Sequence, residues 1–155
     1  MKLEEVVPSL LDAIAHLPEV EVGYPADVVG DEWAGIVAAT ELGDDDRDPR
    51  PFLEAGEAEA QHDVDRAGAQ LADALGGTGD GSADVAAATA ALEAVGAAVA
   101  EGVRRVLDQG TELAPLRPST VAAKGGERRP LVDPEGADRF RTLLTVRLRP
   151  RPRSP

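Results

Sequence analysis

At 155 residues and 16.1 kDa the chain has the size of one domain and is too short for two independent cores. Apolar residues make up 43% of it but aromatic ones only 3%, so the core must be built mainly from Ala, Val and Leu, and so thin a core predicts a protomer stabilised mainly by association. The lack of cysteine excludes disulfides, thiolate metal sites and cysteine nucleophiles together, and a net charge of −13 disfavours general binding to nucleic acid by simple repulsion.

That charge is unevenly laid out. Residues 1–100 hold 22 acidic and 4 basic side chains, whereas residues 101–155 hold 7 acidic and 12 basic ones. Apolar runs fall short of the roughly 20 residues that a membrane span needs. Glu4 and Glu5 stand where a secretory signal carries bases, so the expectation is a soluble product without a membrane partner.

In chain order, Leu3, Val6, Val7, Leu10, Leu11, Ile14 and Leu17 follow the spacing of an amphipathic helix, interrupted or begun at Pro8 and stopped at Pro18. Glu19–Tyr24 alternates acid and apolar residues and predicts a half-buried strand with Val20, Val22 and Tyr24 inward. Ala26–Gly30 reads as a loop, and Asp31 as the N-cap of a helix closed by Gly43. After the polar turn at 44–49, Glu54–Leu75 is continuously helix-compatible. Four glycines in Gly76–Gly81 break it. A second long helix restarts at Ser82–Asp84 and runs to Gln109, with Gly110 as its C′ residue. Thr111–Glu135 reads as an extended, proline-stiffened segment with a short helix at Ser119–Ala123, and Phe140–Leu148 as a second strand.

Two strands near the two ends, with helices between them, predict an α+β fold. Its small antiparallel sheet joins the N-terminal and C-terminal strands and packs with several helices, two of them long. The domain is expected over residues 1–148, followed by a flexible Arg/Pro tail at 149–155.

No catalytic constellation emerges. His62, between Gln61 and Asp63, lacks a second His to complete a metal site, and His16 sits at a helix end that suits a partial positive charge. The Asp44–Asp48 run lacks the alternation, glycine and closing glutamate of a calcium loop. Gly76–Gly81 is preceded by a helix and followed by no Lys-Ser/Thr pair, so it is no phosphate cradle, and no serine lies in a nucleophile elbow. The expectation is a protein without enzymatic activity, cofactor or metal.

Three stretches carry a resemblance. They are Val20-Glu21-Val22-Gly23-Tyr24-Pro25; Ile36–Gly43 followed by Arg50-Pro51-Phe52-Leu53; and Pro115-Leu116-Arg117-Pro118-Ser119-Thr120-Val121 followed by Pro130-Leu131-Val132-Asp133. In this order and spacing they resemble the neck and tail-completion proteins of tailed bacteriophages, to which minor tail proteins of lambda-like siphophages and a virion-morphogenesis protein of Mu-like phages are similar. The chain departs from that pattern at Asp133–Phe140, where relatives continue from the aspartate into threonine-glycine-x-leucine and then a strand, and in its Gly-rich insert and Arg/Pro tail.

The resemblance implies a structural virion protein at the head-tail junction of a phage or prophage particle. It implies a homo-oligomeric ring, hexameric or dodecameric, that meets other neck and tail proteins and passes DNA without binding it specifically. Such a protein resides in the virion and, during assembly, in the host cytoplasm. The assembly residues it implies are Arg50, Pro51, Phe52, Leu53, Pro115, Leu116, Pro118, Ser119, Thr120, Pro130 and Leu131. The charge asymmetry adds that the acidic part could line a DNA passage and the basic tail meet an acidic partner surface. A reading from charge alone stands beside it: the acids of residues 41–65 could mimic DNA and occupy a basic nucleic-acid-binding protein.

Overall fold

The computed structural model describes residues 11–76, 84–110, 113–132 and 138–151. The fold is α+β. Helix α1 (11–16) precedes β1 (Glu19–Gly23), α2 (Ala26–Val29), α3 (Asp31–Leu42), α4 (Phe52–Gly76), α5 (Val85–Gln109), α6 (Pro118–Ala123), α7 (Arg139–Thr142) and β2 (Thr145–Arg149). Strands β1 and β2 form a two-stranded antiparallel sheet, and the long helices α4 and α5 pack together. The predicted helix residues 3–10, the Gly-rich break at 77–81, the restart at 82–83, and residues 111–112, 133–137 and 152–155 lie outside the described residues.

The chain divides into two compact units, one of Met1–Glu21, Gln61–Ala98 and Val146–Pro155, the other of Val22–Ala60 and Val99–Thr145. In the first, the buried side chains among the described residues are Leu17 and four alanines, Ala13, Ala67, Ala88 and Ala91. The charged residues of its strands are paired, with Glu21 accepting from Arg147 Nε at 2.6 Å and lying 3.6 Å from Arg149. Arg151 lies 3.6 Å from Glu19. Arg149, the first residue of the expected tail, closes β2.

The second unit holds the main core: Tyr24, Val37, Phe52, Ala100, Val103, Val106, Leu107, Leu113 and Leu144. All four aromatic residues of the chain gather here. Phe52 meets Tyr24 and Phe140 edge to face at centroid distances of 6.0 and 5.3 Å, and Trp33 tilts against Phe140 at 5.1 Å. Such pairs contribute about 0.5–1.5 kcal/mol each beyond area burial, so few rings suffice to organise this unit. The Tyr24 hydroxyl donates to the Phe140 carbonyl, and burial, followed by the nearby Asp138 charge, pushes the phenol well above its ordinary range.

Close approach of α4 and α5 depends on two glycines. A Cβ on Gly102 would land on the carbonyl oxygen of Gly56, and one on Gly56 would lie 2.6 Å from the Val103 backbone nitrogen. Both elements are interior helix, where glycine is otherwise unfavourable by about 1 kcal/mol. The crossing is what offsets that cost.

Four local expectations are corrected. Ala26–Gly30 is not all loop: Pro25, with φ at −65°, leads into α2 and its carbonyl accepts from Val28 and Val29 at 2.9 and 3.0 Å. Gly30 rather than Asp31 occupies the N-cap of α3, at φ 89°, and Asp31 instead places its charge in the first turn, where the helix dipole favours it. The strand expected from Phe140 begins only at Thr145. Residues 139–142 wind into α7 because the Asp138 side chain accepts from the Arg141 amide and so caps a helical turn. Finally, α5, at 25 residues, is long and apolar enough to cross a membrane by length and composition, owing to its run of alanines. Its C-terminal part, with Ala100, Val103, Val106 and Leu107, serves the core.

Asp84 starts α5, its side chain accepting from Ala87 N and its carbonyl from Ala88 N, both at 2.9 Å. Loss of an N-cap of this kind costs about 1 kcal/mol. Asp84→Ala should therefore lower the unfolding free energy read from urea by that amount at unchanged slope, and Asp84→Ser should leave it nearly intact.

Candidate assembly interface

The link between α3 and α4 is built from its backbone outward. Thr40 returns its hydroxyl to the Ile36 carbonyl at 2.7 Å, and its own carbonyl accepts from the Arg50 amide at 2.8 Å. The Glu41 carboxylate accepts from the Leu53 and Glu54 amides at 3.0 and 3.1 Å. It thus supplies from α3 the cap that α4 lacks locally, since Pro51 precedes the first helical residue and has no polar side chain. Pro51 stands one position before the first helical residue, and its carbonyl accepts from Ala55 at 2.9 Å. Phe52 has no exposed surface, so it cannot touch a neighbouring subunit and acts from inside the core. Leu53 is half-buried against the same core.

Arg50 reaches outward from this link. Its Nε donates to the Ala114 carbonyl at 3.2 Å, which fastens the start of the segment 113–132 to the α3–α4 connection. Leu113 anchors that segment in the core. Gly110 lets it leave α5 sharply: its φ is +65°, and a Cβ there would meet Pro130 Cδ at 3.1 Å.

Beyond Ala114 the segment is an exposed arm. Pro118 sits in the first turn of α6, and the Arg117 carbonyl accepts from Thr120 and Val121 at 2.9 and 3.1 Å. Ser119 and Thr120 are exposed. Pro115, Leu116, Pro118, Val121, Ala122 and Arg128 line a largely apolar groove of about 480 Å³. A second groove of about 480 Å³ is lined by Trp33, Lys124, Pro130, Leu131, Val132, Arg139 and Phe140. The Arg139 guanidinium lies 5.8 Å from the Trp33 ring centre. The sequence-predicted residues therefore fall into two sets. Arg50, Pro51, Phe52 and Leu53 hold the arm and core together, whereas Pro115, Leu116, Pro118, Ser119, Thr120 and Pro130 lie along the arm and Leu131, half-buried, packs against the core.

Glu127 fixes the turn after α6. Its Oε1 accepts from the Arg129 amide and Nε at 2.8 and 3.0 Å, and its Oε2 from the guanidinium at 2.9 Å. The Arg129 side chain holds this carboxyl at about 2, below its ordinary 4.5. For an acid depressed in this way, the turn gains its full stabilisation above the ordinary value and loses it as pH falls through about 2. An NMR titration of the Glu127 carboxyl should show that low midpoint. Arg129→Gln should return it towards 4.5.

No match is found for this chain among protein-family models, curated proteins or solved structures. Among the described residues no three acidic or histidine side chains gather closely enough to hold a metal ion. His62 is exposed on α4, and His16 Nδ1 lies 2.7 Å from the Asp12 carbonyl at the end of α1. The sequence reading missed Glu41 as a remote helix cap and Trp33 as a groove wall. For Glu41 a signal existed, the acid standing two residues ahead of a stop glycine in the same stretch that carries the resemblance. For Trp33 none did.

Proposed function

We propose that the chain is a non-enzymatic structural subunit of the head-tail junction of a tailed phage or prophage particle, working as a homo-oligomeric ring. What supports this, besides the resemblance, is one observation: the most specific of its three stretches forms an exposed, proline-stiffened arm, anchored by Leu113 and the Arg50–Ala114 hydrogen bond and bordered by two grooves. Prolines at 115, 118 and 130 limit the entropy an arm loses on docking, which suits a segment that contacts a neighbour. The ring is hexameric or dodecameric, contacts other neck and tail proteins, and lets DNA pass.

The DNA-mimic alternative draws less support. Several of the acids it would need have local tasks: Glu41 caps α4, Asp44 lies 3.2 Å from Arg47 and Asp63 lies 3.3 Å from Arg66. Negative-stain images and native mass of the purified chain test the proposal. Closed rings of uniform copy number are expected, and the gene should lie between those for portal or capsid and tail tube. A strictly monomeric protein that competes with DNA for a basic host factor would replace this reading with the mimic.

A further inference from the structure

Leu42 ends α3 with 78% of its surface exposed, more than any other large apolar side chain among the described residues. It is followed by the turn 44–48, whose Asp45, Asp46 and Asp48 are exposed and whose one cation, Arg47, lies 3.2 Å from Asp44. An apolar knob with an acidic collar is the result. The arm offers the inverse shape and charge: a groove walled by Pro115, Leu116, Pro118, Val121 and Ala122, with Arg128 in its wall and exposed Arg117 beside it. Its volume of about 480 Å³ falls in the roughly 300–1,000 Å³ range of clefts that seat ligands.

Resting on the ring reading above, we infer that the two surfaces are partners across copies: Leu42 of one copy enters the α6 groove of the next, and the acidic turn of the first faces Arg117 and Arg128 of the second. Three observations select a second copy as the occupant. Charge is complementary: beside the engaged Glu41 and the Asp44–Arg47 pair the turn presents Asp45, Asp46 and Asp48, and beside the Glu127–Arg129 pair the arm presents Arg117, Lys124 and Arg128. Among the described residues no ion pair joins the turn to the arm within one chain, although Arg129 is engaged by Glu127 at 2.9 Å. Both surfaces also belong to the same compact unit, so every copy presents one of each.

The contact is head to tail, because knob and groove are different surfaces. Each addition leaves one of each unfilled until a ring closes. Electrostatics steers the encounter and fixes its register, while the leucine supplies the desolvated centre.

Sedimentation velocity and native mass of the full-length chain test this with three variants, each checked for an unchanged melting curve. Leu42→Asp should weaken assembly at least tenfold. Arg117→Glu with Arg128→Glu, and separately Asp45→Lys with Asp46→Lys, should each leave monomers through like-charge repulsion. Mixing the two charge-reversed proteins, or combining all four substitutions in one chain, should restore assemblies of the original copy number. Rings that persist in all three variants would overturn this interface and leave the ring proposal standing. Assemblies that stop at two copies would overturn the head-to-tail contact, and a parent protein that stays monomeric up to millimolar concentration would remove both.

Discussion

Phe52→Ala should lower the stability of the protein by about 3–5 kcal/mol, a large part of the roughly 5–15 kcal/mol that holds a domain of this kind. Its side chain has no exposed surface and stands between Tyr24 and Phe140, so its loss leaves a cavity at the meeting point of three rings. The surroundings are poorly able to collapse into that space. Tyr24 is held by its hydrogen bond to the Phe140 carbonyl, and Leu53 on the same turn is held at its amide by Glu41. Phe52→Leu, which keeps more of the volume, should cost distinctly less. Urea unfolding of the two variants measures the difference, and a loss below about 1 kcal/mol for the alanine would show that the aromatic cluster does not organise this unit.

Gly102→Ala is expected to destabilise by about 2 kcal/mol or more, even though alanine favours a helix over glycine by about 1 kcal/mol. The new methyl would fall on the Gly56 carbonyl oxygen and reach the Ala60 Cβ at 3.0 Å, so α4 and α5 must separate where they now touch. Backbone atoms cannot rotate away as a side chain would. Gly68 in α4 provides the control, because a Cβ there meets nothing within 4 Å. Gly68→Ala should therefore stabilise by about 0.5–1 kcal/mol, and the opposite signs of the two changes, read from thermal melting, separate the packing effect from helix propensity.

The residues show why much of the fold could be read in the sequence and some of it could not. Long periodic segments and their punctuation were legible: Gly43 and Gly110 stop α3 and α5 where expected, and α6 appears at Pro118–Ala123, one residue from its predicted start. The two-strand sheet was legible because Glu19–Val22 alternates cleanly. What failed was local competition decided at a distance. Phe140 sits in a half-alternating run that favours a strand, yet it joins Tyr24, Trp33 and Phe52, and Asp138 caps the turn that takes it there. Glu41 could not be seen as a cap because its recipients, the amides of Leu53 and Glu54, lie 12 and 13 residues away.

The candidate site was legible as a segment rather than as a surface. Prolines 115, 118 and 130 mark a stiff arm from composition alone. Which of its flanking residues face inward is a matter of tertiary packing, and Phe52, one of the assembly residues that the resemblance implies, is fully enclosed.

The pairing of β1 with β2 brings together Glu21 and Arg147, which are 126 positions apart in the chain. Closing a loop of that length carries a larger entropy cost than the contacts within or between the neighbouring helices α4 and α5. By that separation the sheet is expected to form late in folding, after α4 and α5. A contact made that late slows unfolding rather than speeding folding, so Arg147→Ala is expected to raise the unfolding rate and leave the folding rate nearly unchanged, as stopped-flow denaturant jumps would read.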